Sequence, residues 1–235
     1  MIGSMLTLAD FDNRLMDGFT FCKKVYRLLD EVYAAQDGVK LLRLRDRLTK
    51  KLIGELLPLT HYVRSHYTEG RQLRVRWVDG NQAYDAEIRS KGQFVKENLA
   101  KATSFVEVTG VMHENEHLRR RLLQEKGGSF GVRGISVDRK TKTITSEPHV
   151  YRGYEADDNL LKGILDAIAK KNAIAYPEST VLVVQCHPER LTLDDDWRHV
   201  IDGLRSANVD HRFSEVFLYE PVGRHTATLY PRREN

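Results

Sequence analysis

Two short stretches place carboxylates where a buried strand ordinarily carries apolar side chains: Tyr84-Asp85-Ala86-Glu87-Ile88, and later Ser104-Phe105-Val106-Glu107-Val108-Thr109-Gly110. Both are β-rich and apolar enough to sit inside a sheet. A charge withdrawn from water costs free energy unless it is paired or bound to a metal. Acids in two such strands therefore call for a fold that gives them a common partner.

The spacing allows one. Asp79-Gly80-Asn81 turns the chain into the first stretch, and Lys91-Gly92 with the polar segment to Ala102 forms a loop before the second, so the two read as adjacent antiparallel strands. Side chains alternate between faces, which puts Asp85 and Glu87 on one face of their strand and Glu107 and Thr109 on one face of the other. Where those faces coincide, Asp85 and Glu107 can hold a hard divalent cation, magnesium or manganese, completed by water and phosphate oxygens.

An acid at Asp85 followed on a second strand by Glu107-Val108-Thr109 resembles the PD-(D/E)XK, or restriction-endonuclease-like, nuclease superfamily. The resemblance spans Val39 to Gln185. It implies an α/β fold whose core is helix, three antiparallel strands, helix and a further strand parallel to the third. It also implies Asp85 as the motif acid, Glu107 as the first residue of the tripeptide, a magnesium or manganese cofactor, and nucleic acid, DNA first, as substrate. A glutamate from the first core helix sometimes joins the metal site in that superfamily, and Glu55 lies near the end of the corresponding helix. One departure stands out: Thr109 occupies the position of the motif lysine, which commonly orients or activates the attacking water. Lys91, in alternation phase with Asp85, and Lys171, closing a later helix, are the candidate substitutes, and Thr109 could itself bind the water. The alternative implied by Thr109 is a degenerate member that binds nucleic acid without cutting it.

Along the chain, Leu8 to Gln36 reads as a helix with Phe19, Cys22, Tyr26, Leu29, Val32 and Tyr33 along one face, an N-terminal helical extension over 1–38. The α/β domain then runs over 39–235. Val39 to Leu57 reads as a second helix with a Leu41, Leu44, Leu48, Leu52, Leu56 stripe, and Pro58 to Tyr67 as a short continuation. Gln72 to Val78 alternates as a strand. A small insertion, about 132–156, contains a hairpin of Ile135-Ser136-Val137 and Lys142-Thr143-Ile144-Thr145. Asp157 to Lys171 is an amphipathic helix, and the continuously apolar Thr180 to Cys186 is a strand buried on both faces. A helix around Asp194 to Ser206 and strands at Val216–Tyr219 and Thr226–Tyr230 extend the sheet.

His113-Glu114-Asn115-Glu116-His117 matches the H-E-x-x-H pattern in which two histidines one turn apart bind zinc, the mark of a zinc hydrolase. Its position after Gly110, ahead of Leu118-Arg119-Arg120-Arg121, favours an acid-rich first helical turn instead. Arg119, Arg120, Arg121 and Lys126 lie within a few turns of Glu107, where they could meet backbone phosphates. Net charge is +4, from 37 Lys and Arg against 33 Asp and Glu, which permits a nucleic-acid partner without demanding one. Cys22 and Cys186 match no ligand spacing and read as reduced thiols of a cytoplasmic protein. No membrane-spanning run is visible, and a homodimer remains open as the assembly.

Overall fold

The stretch Thr180–Cys186 carries the unalternating apolar run Val181-Leu182-Val183-Val184, and every residue in it is buried. A strand of that kind needs cover on both sides, and the rest of the chain supplies it. The computed structural model describes residues 6–230. In chain order it contains β1 (Met16–Asp17), α1 (Gly18–Ala34), α2 (Gly38–Leu44), α3 (Arg47–Lys51), α4 (Leu57–His66), β2 (Gln72–Trp77), β3 (Ala86–Lys91), α5 (Gln93–Lys96), β4 (Thr103–Val111) and α6 (Glu116–Glu125). There follow β5 (Ile135–Val137), β6 (Ile144–Ser146), α7 (Glu155–Asn172), β7 (Thr180–Cys186), α8 (Asp194–Ala207), β8 (Glu215–Tyr219) and β9 (Thr226–Leu229).

The main sheet has seven strands in the order β1-β2-β3-β4-β7-β8-β9. Strands β1 to β4 pair antiparallel, β4, β7 and β8 run parallel, and β9 returns antiparallel on β8. Parallel pairing requires crossovers. The one from β4 to β7 carries α6, the β5–β6 hairpin and α7; the one from β7 to β8 carries α8. Alternation along the strands sorts the core into two. Leu73, Val75, Trp77, Ala86, Ile88, Val106, Val108, Val181 and Val183 face Phe21, Val25 and Leu28 of α1 and Leu59 and Val63 of α4. On the other side Leu182, Val184, Cys186, Val216 and Leu218 face Ile164 and Ile168 of α7 and Val200 and Leu204 of α8. Each fully buried isoleucine or leucine contributes about 1.5–3 kcal/mol of transfer free energy.

Two helical segments differ from the sequence reading. The first helix starts at Gly18 rather than Leu8, because the Asp17 carboxylate caps the amides of Phe19 and Thr20 at 3.0 and 3.3 Å. Its buried face is Phe21, Cys22, Val25, Leu28 and Val32, whereas Phe19 and Tyr33 are exposed. Because α1 packs in the same core as the sheet, and β1 joins that sheet, Met16–Ala34 shares the core of the sheet rather than standing as a separate extension.

The second helix is broken at Arg45, which takes a left-handed backbone (φ 55°), and restarts where Asp46 caps Thr49. It then runs through a π-helical turn, Leu52–Leu56, directly ahead of Pro58. Proline has no amide to donate and crowds the carbonyl four residues back, and a widened turn accommodates both.

Helix α7 lies close on the sheet at Gly163, where an added Cβ would meet Val111 Cγ1 at 2.7 Å, while a Cβ at Gly54 would meet nothing within 4 Å. Opposite signs are expected from the same substitution. Gly163→Ala should destabilise by about 1–2 kcal/mol through overpacking, and Gly54→Ala should stabilise by up to about 1 kcal/mol through helix propensity. Urea denaturation of the two variants beside the wild type checks both.

Candidate active site

The β3–β4 register pairs Ala86 with Val106, so one step back along β3 brings Asp85 opposite Glu107. Directly opposed Cβ atoms in such a pair lie about 4.5–5.5 Å apart. Regular pairing stops there, and the Asp85 side chain takes over from the backbone: Oδ2 accepts the Val108 amide at 2.8 Å. The Asp85 amide donates to the Val106 carbonyl at 2.8 Å, and its carbonyl accepts from Val78 at 3.0 Å. Three bonds thus pin one residue, with its carboxylate in the electrostatic reach of Glu107.

The electrostatics follow from that placement. The Asp85 carboxyl is pushed up to about 7, first by burial, then by Glu107 and by Glu55, against weaker opposing effects of the Val108 amide and Lys51. Glu107, in the middle of β4, is buried and forms an ion pair through Oε1 with Lys171 Nζ, from the last turn of α7. The Tyr176 hydroxyl, in the loop from α7 to β7, has its pKa raised first by burial and then by Glu107 and Asp85. The site is a carboxylate pair with one lysine and one phenol against it.

Glu55 approaches from the opposite layer on the π-helical turn. Its carboxylate accepts from Trp77 Nε1 at 3.1 Å and pairs with Lys51 Nζ at 2.8 Å, while Lys51 also reaches Asp79 at 3.3 Å. Asp85 feels its charge, but Glu55 is held by these two partners. Among the described residues no group of three or more His, Cys, Asp or Glu side chains gathers in a metal-ligating arrangement. Thr109 follows Glu107 on the same face of β4, half-buried.

Lys91 is exposed at the far end of β3, paired with Gln72, six residues from Asp85. At about 3.3 Å per residue that is about 20 Å, too far to touch the pair. Alternation phase alone suggested it, and alternation says nothing about distance. Glu87, in phase with Asp85, is buried and neutralised by Arg76 and Arg89.

The basic residues of α6 are largely occupied. Arg119 pairs with Glu116 at 3.4 Å, Arg121 with Glu125 at 3.3 Å, and Lys126 Nζ donates to the Ile144 carbonyl at 3.1 Å. Arg120 is half-buried against α2 and α3 rather than presented outward. The zinc pattern is not assembled, because α6 begins only at Glu116. His113 sits in the preceding turn, its Nδ1 accepting the Asn115 amide at 3.1 Å, and His117 Nδ1 lies 2.8 Å from the Glu114 carbonyl. Two histidines one turn apart on a helix are therefore absent here.

No family model, curated protein or solved structure matches the chain. Among the described residues no helix is long and apolar enough to cross a membrane.

The Asp85 shift sets a sign for stability. The folded chain keeps this proton up to about pH 7, whereas an unfolded aspartate releases it near 3.8. The folded state therefore binds more protons between those values, and stability falls as pH rises through the window. In chelator, the wild-type melting temperature should drop between about pH 4 and pH 7 relative to Asp85→Asn, which should be the more stable protein at the upper end. Thermal melts across that range check it, with parallel curves as the contrary result.

Proposed function

We propose that this protein is a metal-dependent nuclease with a restriction-endonuclease-like core, hydrolysing phosphodiester bonds of nucleic acid, DNA first. The observation that carries the reading is the pairing of Asp85 with Glu107 across the opened end of β3–β4, with Lys171 held on Glu107. The order of elements supports it: helices α3 and α4, then antiparallel β2, β3 and β4, then α7, then β7 parallel to β4, as in the superfamily that the motif resembles.

The donor set fits one magnesium or manganese ion. Both carboxylates offer hard oxygens, two are what magnesium commonly takes from a protein, and the repulsion that raises the Asp85 pKa is what a shared cation would relieve. Asp85 and Glu107 would hold the ion; Glu55, tied to Trp77 and Lys51, would act from outside through its charge. Held by these two carboxylates, such an ion would supply polarisation of the scissile phosphate and a bound water of lowered pKa. The Val108 amide keeps the Asp85 carboxylate from swinging away. Lys171 takes the role left open by Thr109: its ammonium, anchored on Glu107, can donate to the attacking water and counter the charge developing on phosphate. Tyr176, protonated at neutral pH, adds a second donor on the same side.

The test is cleavage of supercoiled plasmid, linear duplex, single-stranded DNA and RNA with magnesium, manganese or chelator. Asp85→Asn and Glu107→Gln should abolish metal-dependent cutting, Lys171→Met should lower it about 100-fold or more, and Lys91→Ala should leave it unchanged. Nucleic-acid binding with no cleavage under any metal would move the assignment to a degenerate binder, the reading that Thr109 favours. Cutting that survives both carboxylate substitutions would refute this site.

A further inference from the structure

Most interior cations of this protein are answered by acids: Arg133 by Glu189, Arg190 by Asp157 and Asp196, and Lys171 by Glu107. One group is not. Between α6 and the α2–α3 junction lies a cleft of about 370 Å³ whose lining includes Arg43, Arg45, Lys50, His117, Arg120 and Arg121 and no carboxylate. Arg45 and Arg120 are half-buried in it. The Nε of Arg45 is buried without a hydrogen-bond partner, and among the described residues its guanidinium makes no ion pair. Arg120 gives Nε to the Glu116 carbonyl oxygen at 3.2 Å and stands 4.0 Å from that residue's carboxylate, while its buried Nη1 has no partner.

Two guanidiniums brought together in a partly dry place repel each other, and an unmet buried donor adds its own desolvation cost. The fold nevertheless holds them there. Arg45 is fixed in its left-handed backbone by the bond from its amide to the Leu41 carbonyl at 2.8 Å and by the Asp46 cap that starts α3. Non-glycine residues in that region cost free energy and persist where the surroundings over-determine them.

We propose that this cleft binds a dianionic phosphate, either inorganic phosphate or the terminal group of a phosphate monoester, with Arg45 and Arg120 as its floor and Lys50, Arg43 and Arg121 at its rim. Guanidinium forks match tetrahedral oxyanions, and two guanidiniums with one carboxylate near them, Glu116 at 4.0 Å from Arg120 and shared with Arg119, match a dianion better than the single charge of a phosphodiester. The volume admits a phosphate carrying a further group. Behind the guanidiniums, at the carboxyl end of β7, His187 has a buried Nε2 without a partner, and its ring is pushed down to about 4 by burial first and then by Arg45 and Arg120. An anion seated between the arginines would reverse that influence, which makes His187 a reporter. This site does not rest on the carboxylate pair: Glu107 lies four residues before the end of β4, about 13 Å along the strand.

The experiment is titration of the full chain with inorganic phosphate, then with a 5′ nucleoside monophosphate against its nucleoside, at ionic strength fixed with chloride. Calorimetry and thermal melts would read binding, and NMR would follow the His187 ring. Saturable binding with a raised melting temperature and an upward-moving His187 titration is expected. Arg45→Gln and Arg120→Gln should each weaken binding at least about tenfold, while Asp85→Asn and Glu107→Gln should leave it intact. Tighter binding of the monophosphate than of phosphate would name a monoester as the ligand, and equal binding would name the free ion. No saturable effect in the wild type beyond that of chloride overturns the proposal whatever the variants do. Folded arginine variants that bind as the wild type does overturn it as well.

Discussion

The pairing of β4 with β7 is the constraint on which the other elements depend. Seven consecutive residue pairs, Phe105 with Thr180 through Val111 with Cys186, lock two strands side by side in parallel. A parallel pair cannot be closed by a tight turn and cannot leave a face to water, so the chain must cross over and must cover both sides. Helices α7 and α8 meet the second demand on one face, α1 and α4 on the other. The same pairing puts Glu107 in the centre of the sheet, where no ordinary surface acid could stand.

What makes the carboxylate pair chemically unusual is the place where β3 begins. Had regular pairing continued past Ala86, the Val108 amide would have met a backbone carbonyl; instead it meets the Asp85 carboxylate, and the acid is drawn in beside Glu107. Burial and repulsion then raise its pKa, a cost the fold bears at a site whose arrangement suits a cation. Lys171 offsets part of that charge from the last turn of α7.

Charge is distributed unevenly over the same framework. Carboxylates without enough cations gather where β3 begins, and cations gather between α6 and the α2–α3 junction, where Arg45 has no ion-pair partner among the described residues and Arg120 has only a carboxylate at 4.0 Å. Neither feature is explained by stability, since each would be more stable neutralised.

Much of this was legible in the chain itself. Local rules sufficed where one signal dominated: the alternation of Leu73, Val75 and Trp77, the unbroken apolar run of β7, the periodicity of α7, the polar turn of the β5–β6 hairpin, and the opposed acids Asp85 and Glu107. They failed where a capping side chain outweighed a hydrophobic stripe, as at Asp17, which starts α1 late, and at Asp46, which restarts the helix broken at Arg45. They failed again wherever partners are remote. Lys91 shares a phase with Asp85 yet lies six residues away along a straight strand, whereas Lys171, 64 residues from Glu107, touches it because a helix folds back over the sheet. Sequence determined which residues could be strand, helix or buried acid, because those depend on neighbours a few positions off. Only the tertiary structure decided which lysine meets the acids and which arginines are left unpaired, because charges act through space and the chain's path alone sets those distances.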